Sequence, residues 1–275
     1  MHVRRKLPLL DLDPDLGLLL PEDRRELCRR ELLVEPSRLP RGPWSAGGER
    51  PDPEHPGLLL IEGVIAREVV VSDTISTELL GPGDVVRPWS LQAAPAMLQA
   101  EIRWSVLTES RVALLDRRFG AQLGDWPEIA VALLDRLNDR AHRLALTQAI
   151  SQLNRVDRRL LSLFWHLAER WGRITTEGVA IPLTLSHRML GQLVGARRPT
   201  VSTAIGVLGC TAIVRVTLQE YEGVRAGSRC FLVAPGHGAE FDEVRRDGDR
   251  YRVVAKPDGP LGELADRTDP RQDRG

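Results

Sequence analysis

The spacing of apolar positions changes several times along this 275-residue chain, and each change predicts a different element. Residues 1–20 alternate Leu with Asp and Pro, a texture that predicts a loosely docked or poorly ordered arm. Pro21 then opens a short helix, with Glu22, Asp23 and Glu26 near the positive end of its dipole and Leu27, Cys28 and Leu32 as a narrow apolar stripe. Residues 36–56 are crowded with Pro, Gly and charge and predict a loop. From Leu58 the texture becomes β, with short runs at Leu58–Ile61, Val69–Val71, Ile75–Leu80, Val85–Val86, Ile102–Leu107 and Val112–Leu115. The turn Gly81-Pro82-Gly83-Asp84 lies among them, and the set predicts a small antiparallel roll or sandwich of jelly-roll character.

The period then becomes helical. Asp125-Trp126-Pro127-Glu128 places a candidate cap at Asp125 and a proline near the first helical position, and no later proline intervenes before Pro182. A helix from Pro127 to about Leu153 would be roughly 40 Å long at 1.5 Å per residue. Leu134, Leu137, Ala141 and Leu144 follow one another at +3, +4 and +3, an a/d-like seam that Gln148 interrupts. Such a seam joins two copies of a chain or packs on its own β domain, and the helix length favours a homodimer. A second helix, Asp157 to Trp171, carries Leu160, Leu161, Phe164, Leu167 and Ala168 on one face.

Leu183 to Leu208 reads as a helix-turn-helix. Met189, Leu190 and Leu193 share one side of a first helix, and Ser186 just before it has the hydroxyl that free N-terminal N–H groups need. Gly195 ends that helix, since glycine takes positive φ without steric cost. In the second helix Val201, Ala204, Ile205 and Leu208 recur at the spacing of a buried stripe. Arg198, Pro199, Ser202, Thr203 and Gly206 share the opposite face. Two strands, Ala212–Leu218 and Arg229–Val233, flank the polar loop 219–228 in the outline of a wing, with Arg225 at its tip. Residues 236–275 are rich in Asp, Arg, Gly and Pro; disorder is the default expectation for much of them, with an extra strand pair around Arg250 to Ala255, or a partner-binding segment, as the alternative.

Charge sharpens this reading. Lys plus Arg and Asp plus Glu are 38 each, yet Ser151 to Arg215 holds nine arginines against three acids, whereas residues 1–150 hold 19 basic against 23 acidic groups. The basic segment is the one with the helix-turn-helix, as a phosphate-facing surface requires. An arginine at the leading end of such a helix can donate two hydrogen bonds to guanine O6 and N7, which makes Arg198 the candidate base reader. Thr200, Ser202 and Thr203 have short hydroxyls suited to phosphate or a base edge, and Pro199 is tolerated in the first turn. A buried helical hairpin with solvated arginines is the plainer alternative. Arg225 is equally well a phosphate contact or an ordinary solvated hairpin residue.

Cys28, Cys210 and Cys230 are too dispersed for a disulfide framework or a metal site, and six scattered histidines give no ligand pattern. No apolar run approaches a membrane span and no signal-peptide core is present, so a cytoplasmic protein with no cofactor, no metal and no membrane partner is expected. Neither a phosphate-cradling glycine loop nor a nucleophile motif is present, and no enzyme is expected.

The chain resembles transcription regulators of the cyclic-AMP receptor protein/fumarate-nitrate regulator (Crp/Fnr) family. The resemblance covers about Leu58 to Pro235 and rests on Gly81-Pro-Gly-Asp84, on Ser110-Arg-Val-Ala-Leu-Leu-Asp-Arg-Arg-Phe119, and above all on Leu190-Gly-Gln-Leu-Val-Gly-Ala-Arg-Arg-Pro-Thr-Val-Ser202. It implies an α+β chain with an N-terminal cyclic-nucleotide-binding-like β-roll, a long dimerisation helix and a C-terminal winged helix-turn-helix. The corresponding segments are 1–124 for arm and roll, 125–154 for the dimer helix, 155–235 for the DNA-binding domain and 236–275 for the tail. It further implies that Arg198, Pro199 and Thr203 read bases, while Ser186, Arg188, Arg197 and Thr200 contact or approach phosphate. Double-stranded DNA and a second copy of the chain are the implied partners, and RNA polymerase is a candidate third.

Two departures stand out. The family often has arginine where this chain has Thr203, and a polar cap where it has Arg197. Cyclic-nucleotide binders carry Phe-Gly-Glu and Arg-Ser/Thr-Ala segments; here the first reads Val85-Val-Arg-Pro-Trp-Ser-Leu-Gln-Ala-Ala and the second is missing before Trp104. A cyclic phosphate would lack its charge-assisted arginine, so cyclic AMP is not the expected effector, and the effector is left unassigned. The competing class is a ligand-binding or protein-interaction module with no specific affinity for DNA.

Overall fold

The computed structural model describes residues 6–45, 54–89, 98–175, 178–210, 214–217, 230–233, 244–247 and 250–253, the last four segments and residues 174, 175, 178, 209 and 210 as backbone only. The chain divides into two compact units, Met1–Gln148 and Ala149–Gly275.

The first unit opens with β1 (Leu7–Pro8), α1 (Leu9–Leu12), a 3-10 turn at Pro14–Gly17 and α2 (Glu22–Glu31). Its strands follow as β2 (Leu33–Leu39), β3 (Gly42–Pro43), β4 (Gly57–Glu62), β5 (Ile65–Val71), β6 (Thr74–Leu80), β7 (Val85–Val86), β8 (Glu101–Val106) and β9 (Ser110–Leu115). Then come α3 (Arg117–Gln122) and α4 (Pro127–Ser151), whose last turn lies in the second unit. The strands form two antiparallel sheets, ordered β1-β2-β9-β4-β7 and β3-β8-β5-β6, which is the expected roll. The glycine turn closes through Asp84, which is buried; its carboxylate accepts from the Gly81 N–H at 2.9 Å, and Gly83 takes a φ of 85°.

Three expectations need correction here. Residues 6–20 are no loose arm: Leu9, Leu10, Leu16 and Leu20 are buried in one cluster with Leu32, Val34, Leu59, Leu115, Phe119 and Ile129. Their irregular spacing fits a short helix followed by a 3-10 turn, so no single period betrays the element. The stretch read as a loop from Pro36 begins inside β2, because Pro36 faces Ala113 in a ladder that runs from Glu35 to Leu39. Trp126, and not Asp125, is the residue immediately before α4: its carbonyl accepts from Ala130 N at 3.1 Å. Pro127 is the first helical residue, as expected.

One face of α4 is fixed to the roll. Ile129 and Leu133 are buried, and below them Arg136 reaches Asp13 at 3.3 Å, Arg140 grips Glu78 through two bonds of 2.7 and 2.9 Å, and Arg143 meets Asp84. The seam residues lie on another face. Leu134 is 63 % exposed, Leu137 44 % and Leu144 38 %, and Ala141 is exposed too, so the roll does not cover them. Cys28 is wholly buried, and that burial pushes its thiol up to about 11, which keeps it protonated and unreactive at neutral pH.

The second unit holds α5 (Val156–Trp171), β10 (Arg173–Thr175), β11 (Gly178–Ile181), α6 (His187–Val194), α7 (Arg198–Cys210), β12 (Val214–Thr217) and β13 (Cys230–Val233). Leu160, Leu163, Phe164, Leu167 and Ala168 bury the inner face of α5; Leu163 takes the place expected of Leu161, which is half-buried. The strands form one antiparallel sheet, β10-β11-β13-β12, and β12 pairs with β13 from Val214↔Val233 to Thr217↔Cys230 as a wing would. The tail contains a further strand pair, β14 (Val244–Asp247) with β15 (Arg250–Val253), where disorder was the default expectation.

Candidate nucleic-acid interface

The site is built from α6, the turn after it and α7. Ser186 has extended backbone angles and its Oγ accepts from Met189 N at 3.1 Å, the expected N-cap. Leu190, Leu193 and Val194 bury the inner face of α6. Gly195 ends it in the left-handed region at φ 64°. Gly191, inside the helix, is needed for a different reason: a Cβ there would stand 2.3 Å from the Ala196 carbonyl oxygen. Ala196 N also donates to Gly191 O at 2.9 Å, so the chain folds back tightly on its own helix.

Arg159 of α5 locks this turn. Its Nε donates to Leu153 O at 2.6 Å, and one guanidinium nitrogen donates to Val194 O at 3.2 Å and Gly195 O at 3.3 Å. These are carbonyls that a helix C-terminus leaves unsatisfied. Sequence reasoning missed Arg159, because nothing local to it shows that its partners lie 35 residues on.

Val201, Ala204, Ile205 and Leu208 are buried, which turns the other face of α7 outward as expected. Arg197 stands at the leading end, and its carbonyl accepts from Val201 N at 3.1 Å. Arg198, Pro199 and Thr200 form the first turn, Ser202 and Thr203 the next, and all are exposed, as are Ser186 and Arg188 on α6. No acid occurs between Gly178 and Cys210, so nothing along either helix neutralises these arginines. Arg225 lies outside the described residues.

A contact that the sequence did not suggest joins the two helices. His187 Nδ1 lies 2.8 Å from Ser202 Oγ, and Ser202 Oγ donates to Arg198 O at 3.1 Å. With the hydroxyl proton directed to that carbonyl, Nδ1 is the donor to Ser202 Oγ. Thr203 Oγ1 likewise donates to Pro199 O at 3.2 Å. Both hydroxyls therefore offer lone pairs outward, which suits an exocyclic base amine better than a phosphate, itself an acceptor. Ser186 differs: its Oγ accepts from the backbone and keeps its own proton for an outside acceptor.

Among the described residues no group of three or more His, Cys, Asp or Glu side chains could hold a metal ion, and no helix is long and apolar enough to cross a membrane.

The chain matches no protein-family model and no curated protein sequence. It is similar in structure to a cyclic nucleotide-binding domain containing protein from Listeria monocytogenes EGD-e, with a TM-score of 0.56 and 17 % identity over 74 % of this chain and 92 % of that one. A CooA mutant from Carboxydothermus hydrogenoformans superposes with a TM-score of 0.55 and 15 % identity over 73 % of this chain and 83 % of the other. A CRP-family transcriptional regulator from Thermus thermophilus gives a TM-score of 0.52 and 19 % identity over 72 % and 91 %. The resemblance read from the sequence thus extends to three dimensions, and the fold of this chain, a β-roll followed by a C-terminal helix-turn-helix, is that of the Crp/Fnr regulators.

Proposed function

We propose that this chain is a sequence-specific DNA-binding transcription regulator of the Crp/Fnr kind that acts as a homodimer. The observation that carries the reading is the outer face of α7: Arg198 at its first turn is exposed, backed by a buried stripe and by a segment without acids. Arg198 reads a guanine, Pro199 and Thr203 lie against neighbouring base edges, and Ser186, Arg188, Arg197 and Thr200 take phosphates. Arg225 on the wing adds a further phosphate contact. Leu134, Leu137, Ala141 and Leu144 supply the seam between two copies, since a run of apolar residues left this exposed on one helix calls for a partner surface. Two recognition helices on a two-fold axis would read half-sites about 34 Å apart. An effector acts by favouring one of two arrangements of the dimer, which requires different affinities for them.

The test is selection of bound duplexes from a random library by the purified protein and by Arg198→Ala. The expected result is a two-fold-symmetric motif that relaxes at one position in the variant, at a loss of ~1–3 kcal/mol. Binding without any motif, equally weak in both proteins and abolished by salt, would turn the reading towards an interaction module.

A further inference from the structure

β14 and β15 form a two-stranded sheet of their own, separate from the sheet β10-β11-β13-β12 of the winged unit. Their register sets Val244 opposite Val253, Arg245 opposite Arg252, Arg246 opposite Tyr251 and Asp247 opposite Arg250. Alternate positions of a strand share a face. One face of the ribbon therefore carries Arg245, Arg250, Arg252 and Asp247, and the other Val244, Val253, Tyr251 and Arg246. Like charges directly opposite one another destabilise a strand pair. Asp247 is matched across the ladder by Arg250, which leaves the rung of Arg245 and Arg252 as a pair of like charges.

The rest of the unit does not cancel this charge. β15 runs beside α5, within the same compact unit. Both acids of α5 are engaged: Asp157 lies 2.7 Å from Arg155, and Glu169 faces His166 at 3.8 Å. Within the tail the charges are segregated. Residues 243–256 hold four arginines and a lysine against Glu243, Asp247 and Asp249, whereas the remainder of 236–275 holds three arginines against seven acids. A lone two-stranded ribbon is marginal in water, and a like-charge rung lowers its stability further, so an anion from outside offsets a deficit that the chain leaves open. Three arginines spread along a ribbon, with alternate positions about 6.6 Å apart, match an extended polyanion better than a single small ion.

We propose that the ribbon of β14 and β15 is a second DNA-contacting element of this chain, in which Arg245, Arg250 and Arg252 take backbone phosphates of the duplex whose bases α7 reads. The inference rests on the DNA-binding reading of the second unit and adds to it a contact that carries no sequence information. The tail then raises affinity for every duplex alike, and the choice of operator stays with α7.

The test is binding of the full chain to two duplexes, the sequence selected by the parent protein and a random sequence, across a salt series. The double variant Arg245→Gln/Arg252→Gln is expected to weaken both by the same factor. It should reduce the slope of log affinity against log salt by about 1.8, two phosphate contacts at about 0.9 each. Arg245→Lys/Arg252→Lys keeps the charges and is expected to retain the parent's slope. Should the Gln pair not fold, Asp247→Asn gives the opposite arm: it removes the acid across from Arg250 and is expected to steepen the slope by up to about 0.9. Arg198→Ala separates the two ways of failing, since it relaxes the selected motif without touching the ribbon. Where Arg198→Ala relaxes the motif, an unchanged slope in the folded Gln pair, or in Asp247→Asn where that pair does not fold, overturns this proposal and leaves the DNA reading standing. A slope lost equally in the Lys pair overturns it too, because the effect then belongs to the fold of the ribbon and not to its charge. No binding of either duplex by the parent at any salt overturns both.

Discussion

The two units use the same side chain in opposite ways. On α4 of the first unit, Arg136, Arg140 and Arg143 point inward and each meets a carboxylate brought from far along the chain: Asp13, Glu78 and Asp84. On the second unit, Arg188, Arg197 and Arg198 stand in solvent on a segment that has no acid to offer them. A guanidinium withdrawn from water needs its counter-charge within the fold, whereas one left hydrated remains available to an anion from outside. Composition cannot show this, because the chain's overall charge is zero. What separates a structural arginine from a solvated one here is burial together with the company of acids.

That contrast can be broken or sharpened by substitution. The largest expected effect is that of Glu78→Ala, which leaves two buried guanidinium groups without their shared carboxylate and should lower stability by ~3–5 kcal/mol in urea titrations. A loss under about 1 kcal/mol would mean that water reaches these groups and that the distinction between the units is smaller than drawn. Arg188→Gln and Arg197→Gln should leave unfolding within ~0.5 kcal/mol of the parent. Each should instead reduce the slope of log affinity against log salt for duplex DNA by about 0.9. Smaller again is Gly206→Ala: a Cβ at this exposed position of α7 meets nothing within 4 Å, so the helix should gain up to about 1 kcal/mol by thermal unfolding, with operator preference unchanged.

The helix-turn-helix was legible in the sequence because its determinants are local. Ser186, Gly195 and the stripe Val201, Ala204, Ile205, Leu208 lie within one short stretch, and propensity, capping and period agree there. The roll's strands from Leu58 onward were legible for the same reason. The buried role of Leu9, Leu10, Leu16 and Leu20 was not, since those side chains meet Leu59, Leu115 and Ile129 only after the sheet has formed. Nor was the group of Arg67, Glu78 and Arg140, which comes from two strands and a helix and has no spacing to recognise. His187 and Ser202 fall between these cases: both lie in the legible stretch, but only the crossing of α6 over α7 brings them to 2.8 Å.

That crossing bears on the thermodynamics of docking. The hydrogen bonds running from His187 through Ser202 to the Arg198 carbonyl, with Thr203 held to Pro199 and the turn held by Arg159, leave the middle of the exposed face with few rotamers to choose among. Immobilising a mobile side chain at an interface costs ~0.5–1.5 kcal/mol, and here much of that ordering has already occurred during folding. Any partner of this face therefore meets a preset template at its centre, and the freedom still to be lost resides in the long arginines around it.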